Sequence, residues 1–347
     1  MEHNFILTDI MKTGYNPALH NFLSYQNIPE QSFTFDEQYY RLHLQDIKKY
    51  QRKFACLFPR PLLYSSVEYC EDLQKRIKKL VNLGFKIIVS EPWESRKTIR
   101  EKLNTLHIEH LDYTFWAGDA SWFWFYMYDL HKNKKFNFNH AEKKFDFFYL
   151  NKESRPHRER LFDLVYNAKL LDRSLYSFTS RGVALDINYE LPWVTGSYPR
   201  RGFDQDIYEL PYNHSAYNIV SETQTDEETF ITEKIWKPII AEQIFIVHSK
   251  PFYLKDLREL GFKTFDGIID ESYDLEINSD RRMDKIVKLC HWLKKQDWRV
   301  LYANTEHIRK HNAQLFFNKT ALQSSINQTL LRLLKSFDSS QISSRES

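Results

Sequence analysis

The feature that most constrains this chain is an alternation that begins near Lys53. Phe54-Ala-Cys-Leu-Phe58 is a short apolar run stopped by Pro59 and Pro61, as a buried strand would be. Leu73, Ile77, Leu80 and Val81 then recur at helical spacing, with Lys75, Arg76, Lys78 and Lys79 between them. This spacing predicts a helix over 67–83. Gly84 follows where a left-handed C-terminal cap belongs, and Phe85-Lys-Ile-Ile-Val89 reads as a second strand. Two strands joined through a helix of this length are a parallel pair, so the chain is predicted to be α/β.

The same logic continues downstream. Strands are expected at 145–150, 217–220, 244–247 and 262–265, and helices at 156–168, 232–241 and 253–260. Gly261 closes the last of these helices, and further helices fill 280 to about 334. The first 50 residues carry few strong elements, and 180–216 reads as irregular and polar. Two lobes follow, 1–140 and 141–335, divided at the polar segment 131–140, with serine-rich 336–347 as a disordered tail.

Composition removes several functions. The 347 residues include 8 glycines, and no spacing among them makes GxGxxG or GxxxxGK[ST]. Any bound phosphate must therefore be held by side chains and helix ends. Lys and Arg number 49 against 46 Asp and Glu, a net +3, so the chain is not polybasic and nucleic-acid binding needs a local basic face. Three cysteines without CxxC suggest neither a disulfide framework nor a zinc knuckle. Met1-Glu2-His3 opens no secretory signal, and the apolar stretch 115–130 is broken by Asp119, Ser121 and Asp129, so no membrane span is expected. These features read as a cytoplasmic protein. His107 and His110 lack the HExxH context of a zinc site and read as a solvated helix face; Gly-x-Ser-x-Gly is absent. Asp270, Glu271 and Asp274 read as an acidic loop, and no metal or cofactor is expected to be required.

The segment 221–238 sits between a strand and a helix, where open α/β sheets take ligands. Thr232 is placed to cap that helix, leaving Glu233 and Lys234 in its first turn. There free N–H groups and a lysine favour an anion, and a carboxylate can accept from sugar hydroxyls. By spacing alone, these residues equally describe an ordinary capped helix with an acidic first turn.

Phe230-Ile-Thr-Glu-Lys234, with Glu222 upstream, resembles the [YF]-x-T-E-K signature of the α1,3/4-fucosyltransferase-type glycosyltransferases; Phe230 stands where many members have Tyr. Arg158-Glu-Arg-Leu-Phe-Asp163 is similar to that family's arginine-rich helix start. Residues 261–266 and 270–274 resemble a viral and marine branch of the same superfamily. The resemblance covers about 145–290. It implies a GT-B arrangement of two Rossmann-like lobes, the second binding a nucleotide sugar. Arg158 and Lys234 would face the donor phosphates, with Glu222, Phe230 and Glu233 also on the donor.

An inverting transfer also needs a base for the acceptor hydroxyl, normally a carboxylate from the other lobe. Glu91 and Glu94, just past the 85–89 strand, and Asp119 are the candidates. The expected function is transfer of a fucose-like sugar from a nucleoside diphosphate, its co-substrate, to a glycan hydroxyl. One alternative acceptor is a hydroxymethylated pyrimidine of viral DNA in a host cytoplasm, tracked by Lys75–Lys79, Arg96, Lys97 and Arg100. The other alternative is a sugar- or nucleic-acid-binding module without turnover. The transferase reading requires Arg158 and Lys234 to share one crevice.

Overall fold

A computed structural model of the chain describes residues 5–9, 52–57, 67–89, 96–115, 120–183, 206–225 and 231–325, together with 328. The chain is mixed α/β and forms two compact units, one ending at Gly118 and the other spanning Asp119–Ser325.

The first unit holds strands β1 (Phe5–Asp9), β2 (Arg52–Leu57), β3 (Lys86–Val89) and β4 (Tyr113–Phe115), all parallel and neighbours in that order. Helix α1 (Val67–Asn82) packs against β3 and buries Leu73, Ile77 and Leu80, while Lys75, Lys78 and Lys79 stay exposed. Gly84, at φ 81°, lets the N–H groups of Gly84 and Phe85 bond back to Val81 and Leu80 and end the helix. Helix α2 (Arg96–Asn104) and β4 were not expected from the sequence, nor was β1. His107 and His110 do not lie on a helix face. They sit in exposed turns after α2 with φ of 47° and 58°, a conformation that histidine tolerates better than most residues.

The second unit begins with α3 (Ala120–His131), about twenty residues before the expected division. Trp124 explains this. Its ring packs 4.9 Å from Phe262 and 5.9 Å from Trp236, and its indole N–H donates to the Phe316 carbonyl at 2.8 Å. The linker 131–144 is likewise tied down: Asn139 N–H donates to Asn213 and Lys144 N–H to the His214 carbonyl. There follow β5 (Phe145–Asn151), α4 (Pro156–Asn167), β6 (Leu175–Phe178), α5 (Glu209–His214) and β7 (Ser215–Ser221). The chain continues with α6 (Glu233–Ile240), β8 (Ile244–His248), α7 (Tyr253–Glu259), α8 (Ser279–Lys295) and α9 (Trp298–Phe316). Strand β6 was not expected from the sequence, and helix α5 falls inside the expected irregular stretch 180–216; the 336–347 tail lies outside the described residues.

These four strands are parallel in the order β6-β5-β7-β8. The chain winds outward from β5 to β6, then starts again on the other side at β7. With right-handed crossovers, α4 and α6 fall on opposite faces of the sheet. Strands β7 and β8 are buried along their whole length, which explains their continuous apolar runs.

The expected strand at 262–265 is not formed. Phe262 and Phe265 are buried, but the backbone N–H of Lys263 donates to Asn312 and that of Phe265 to Glu271, so no sheet ladder receives them. Among the described residues no helix is long and apolar enough to cross a membrane.

Candidate functional site

The point where the second sheet reverses lies between β5 and β7, and the turns leaving these strands diverge there. Arg158 rises from the first turn of α4, after β5. Glu222 and Thr223 follow β7 directly. Thr232, Glu233 and Lys234 open α6.

Arg158 is 3% exposed, so it is not a solvent-facing helix residue. Its Nε–H donates to the Glu222 carbonyl at 3.2 Å, Nη1 to the Glu153 carbonyl and Nη2 to Thr223 Oγ1, each at 3.3 Å. Lys234 approaches the same hydroxyl from α6: Nζ lies 3.1 Å from Thr223 Oγ1, 3.2 Å from Thr232 Oγ1 and 2.7 Å from Glu233 Oε1. A guanidinium and an ammonium thus converge on one hydroxyl oxygen. Thr232 is the helix cap, its Oγ1 accepting the Lys234 N–H at 3.3 Å, as its residue type and position predict.

The two glutamates differ in role. Glu222 is fully buried and accepts three bonds: from Thr232 N–H at 3.1 Å, Thr232 Oγ1 at 2.6 Å and Tyr253 OH at 2.8 Å. Burial pushes its carboxyl above the usual range, against the charge of Lys234 and the bonds from Thr232. Glu222 therefore braces the loop and the start of α6. For Glu233 burial also opposes the charge, but Lys234 and then Lys237 overcome it and hold the carboxyl below its usual range. Its Oε2 is buried and has no hydrogen-bond partner among the described residues, so an ionised acceptor stands open there.

Four of the five expected donor-side residues are therefore neighbours. Phe230 lies outside the described residues, as do Glu91, Glu94 and Asp119. Sequence reasoning missed Thr223, Tyr253 and a pair of histidines. His157 Nε2 donates to the Glu222 carbonyl at 3.0 Å, and its ring lies 5.7 Å from that of His248, which ends β8. Only the polar residues at the two strand ends hinted at them.

A cleft of about 470 Å³ opens between α7 and residues 266–275. Its acids serve the fold. Asp274 accepts the Leu254 N–H at the start of α7, and Glu271 accepts from Thr264, Arg258 and the Phe265 N–H while burial raises its carboxyl to about 7. Among the described residues no group of three or more His, Cys, Asp or Glu is placed to hold a metal ion. Comparison of the chain with protein-family models, curated proteins and solved structures gives no match.

Proposed function

We propose that this protein is an inverting glycosyltransferase of GT-B architecture that takes a sugar from a nucleoside diphosphate and places it on a glycan hydroxyl. The supporting observation is the convergence of Arg158 and Lys234 on Thr223 Oγ1 at the reversal of the second sheet. A diphosphate oxygen is a stronger acceptor for both cations than a neutral hydroxyl. As the acceptor oxygen bonds to the anomeric carbon, the bond from that carbon to the diphosphate breaks. Charge then grows on the leaving oxygen, where fixed cations lower the barrier. Glu233 Oε2 is suited to a sugar or ribose hydroxyl. Glu91, Glu94 or Asp119 would take the acceptor proton.

The test is a panel of nucleoside diphosphate sugars, scored by thermal shift and donor hydrolysis, with Lys234→Ala beside the wild type. One donor should stabilise the wild type, and Lys234→Ala should lose most of that shift and about 2–4 kcal/mol of transition-state stabilisation. Equal responses from the two proteins would overturn the role of Lys234. Binding without any turnover would favour the non-catalytic module.

A second reading changes only the acceptor, to hydroxymethylated pyrimidines in DNA. It is favoured by the exposed Lys75, Lys78 and Lys79 on α1 and Lys97 and Arg100 on α2. It predicts duplex binding that weakens steeply with added salt; salt-independent or absent binding removes it.

A further inference from the structure

The point where the second sheet reverses carries more positive charge than Arg158 and Lys234 account for. Arg155 is the N-cap of α4, a position with no side-chain capping bond, and its half-buried guanidinium has no carboxylate partner among the described residues. Its Nε is buried without a hydrogen-bond partner among the described residues. His248, at the end of β8, is 0% exposed, and neither ring nitrogen has a partner among the described residues. Arg282, on the first turns of α8, is 2% exposed; its Nη1 donates to the Glu276 carbonyl at 2.6 Å, and its Nε has no partner among the described residues.

The charge of Arg155 bears on Arg158, and those of Arg158 and Arg282 bear on His248, whose ring faces that of His157. α8 packs against both α4 and β8, and Arg160–Asp280 at 3.1 Å joins the two helix starts. Among the described residues, the nearby acids do not neutralise these cations. Glu222 directs its carboxylate to Thr232 and Tyr253, Asp280 is engaged with Arg160, and Asp274 and Glu276 influence Arg282 from beyond ion-pair distance. Among the described residues, Arg158 bonds only to carbonyls and a hydroxyl.

A buried guanidinium with neutral partners, beside an imidazole with none, is a costly arrangement unless an anion completes it. Oxyanions of phosphate suit it best, since they accept from forked guanidinium donors and sit well at an uncapped helix start. We infer that the first turns of α4 and α8, with Arg155, His157, His248 and Arg282, form a phosphate seat continuous with Arg158, and that it takes the distal phosphate of the donor's diphosphate. This rests on the proposed nucleotide-sugar reading and extends it to residues outside the family-like motif.

The experiment is calorimetric titration of the full chain with inorganic phosphate, pyrophosphate, UDP and GDP. It uses wild type, Arg282→Gln, Arg155→Gln, His248→Gln and Lys234→Ala. Pyrophosphate should bind in competition with the nucleoside diphosphate. Arg282→Gln and Arg155→Gln should each weaken it about ten- to a hundredfold, the range for a hydrogen bond to a charged group. If Arg282→Gln fails to fold, Arg155→Gln, at a half-exposed position, decides alone. Unchanged affinity in the α4 and α8 variants with loss in Lys234→Ala overturns the seat and leaves the nucleotide-sugar reading standing. The reverse pattern keeps the seat and overturns the reading. Pyrophosphate binding alongside the nucleoside diphosphate, without competition, overturns the assignment to the distal phosphate. No binding of any anion overturns the seat.

Discussion

The two four-stranded sheets share a strand direction and differ in order. In the first, β1 to β4 lie side by side in chain sequence; in the second, the order β6-β5-β7-β8 turns back on itself at β5 and β7. Winding in one sense carries successive crossovers along one face, and neighbouring strand ends stay covered by consecutive turns. Reversal sends two crossovers to opposite faces and parts the turns above the sheet. Arg158, Glu222, Thr223 and Lys234 are gathered at that parting, from elements up to 76 positions apart in the chain. The lesson is that strand order, more than strand content, decides which sheet offers a crevice.

Mutations that load one sheet and not the other can break this comparison. The largest effect is expected at Glu222, whose replacement by Ala strands the Thr232 N–H, the Thr232 hydroxyl and the Tyr253 hydroxyl in a fully buried place. Glu222→Ala should cost about 3–5 kcal/mol in urea unfolding and abolish donor binding together with it. Leu80→Ala, at a fully buried position on α1, should cost about 2–5 kcal/mol. Its donor-induced thermal shift should nevertheless persist; loss of that shift would bring the first sheet into donor binding.

A smaller effect concerns pH. Burial, followed by the charges of His157, Arg282 and Arg158, lowers His248 to about 3 from an ordinary 6.5. The unfolded chain therefore binds a proton that the folded chain refuses between these values. Stability is lost as pH falls through that window, by up to about 1.4 kcal/mol per unit. Glu271, raised to about 7 from 4.5, acts in the opposite sense between those two values. The difference between wild type and His248→Gln isolates the histidine: lowering the pH from 7 to 5 should destabilise the wild type relative to the variant, read from urea unfolding of both proteins at each pH. Thr232→Ala removes the cap together with the bond that its buried hydroxyl donates to Glu222, so it should cost more than the roughly 1 kcal/mol of a lost cap alone in urea unfolding, with weaker donor binding because Lys234 loses one of its anchors.

Elements with strong local signals are legible in the amino-acid order itself. The α1 stripe, Gly84 and the apolar runs of β7 and β8 each carry their own periodicity or punctuation, and Thr232 announces the start of α6 by cap chemistry. Phe262–Phe265 misleads because a short run rich in strand formers after Gly261 looks the same whether a ladder or side chains receive the backbone. Leu175–Phe178 escapes because four half-polar residues acquire strand character only beside β5.

What the amino-acid order determined alone is therefore local: the α/β class, most helix and strand positions, and the residue types on offer as cations and acceptors. The tertiary structure decided the rest. It assigned α3 to the second unit through Trp124, brought Arg158 and Lys234 to one hydroxyl, and placed His248 and Arg282 beside the first turn of α4. Periodicity reports which face of an element is buried, whereas strand order and crossover handedness, set by packing between distant segments, determine which buried groups meet.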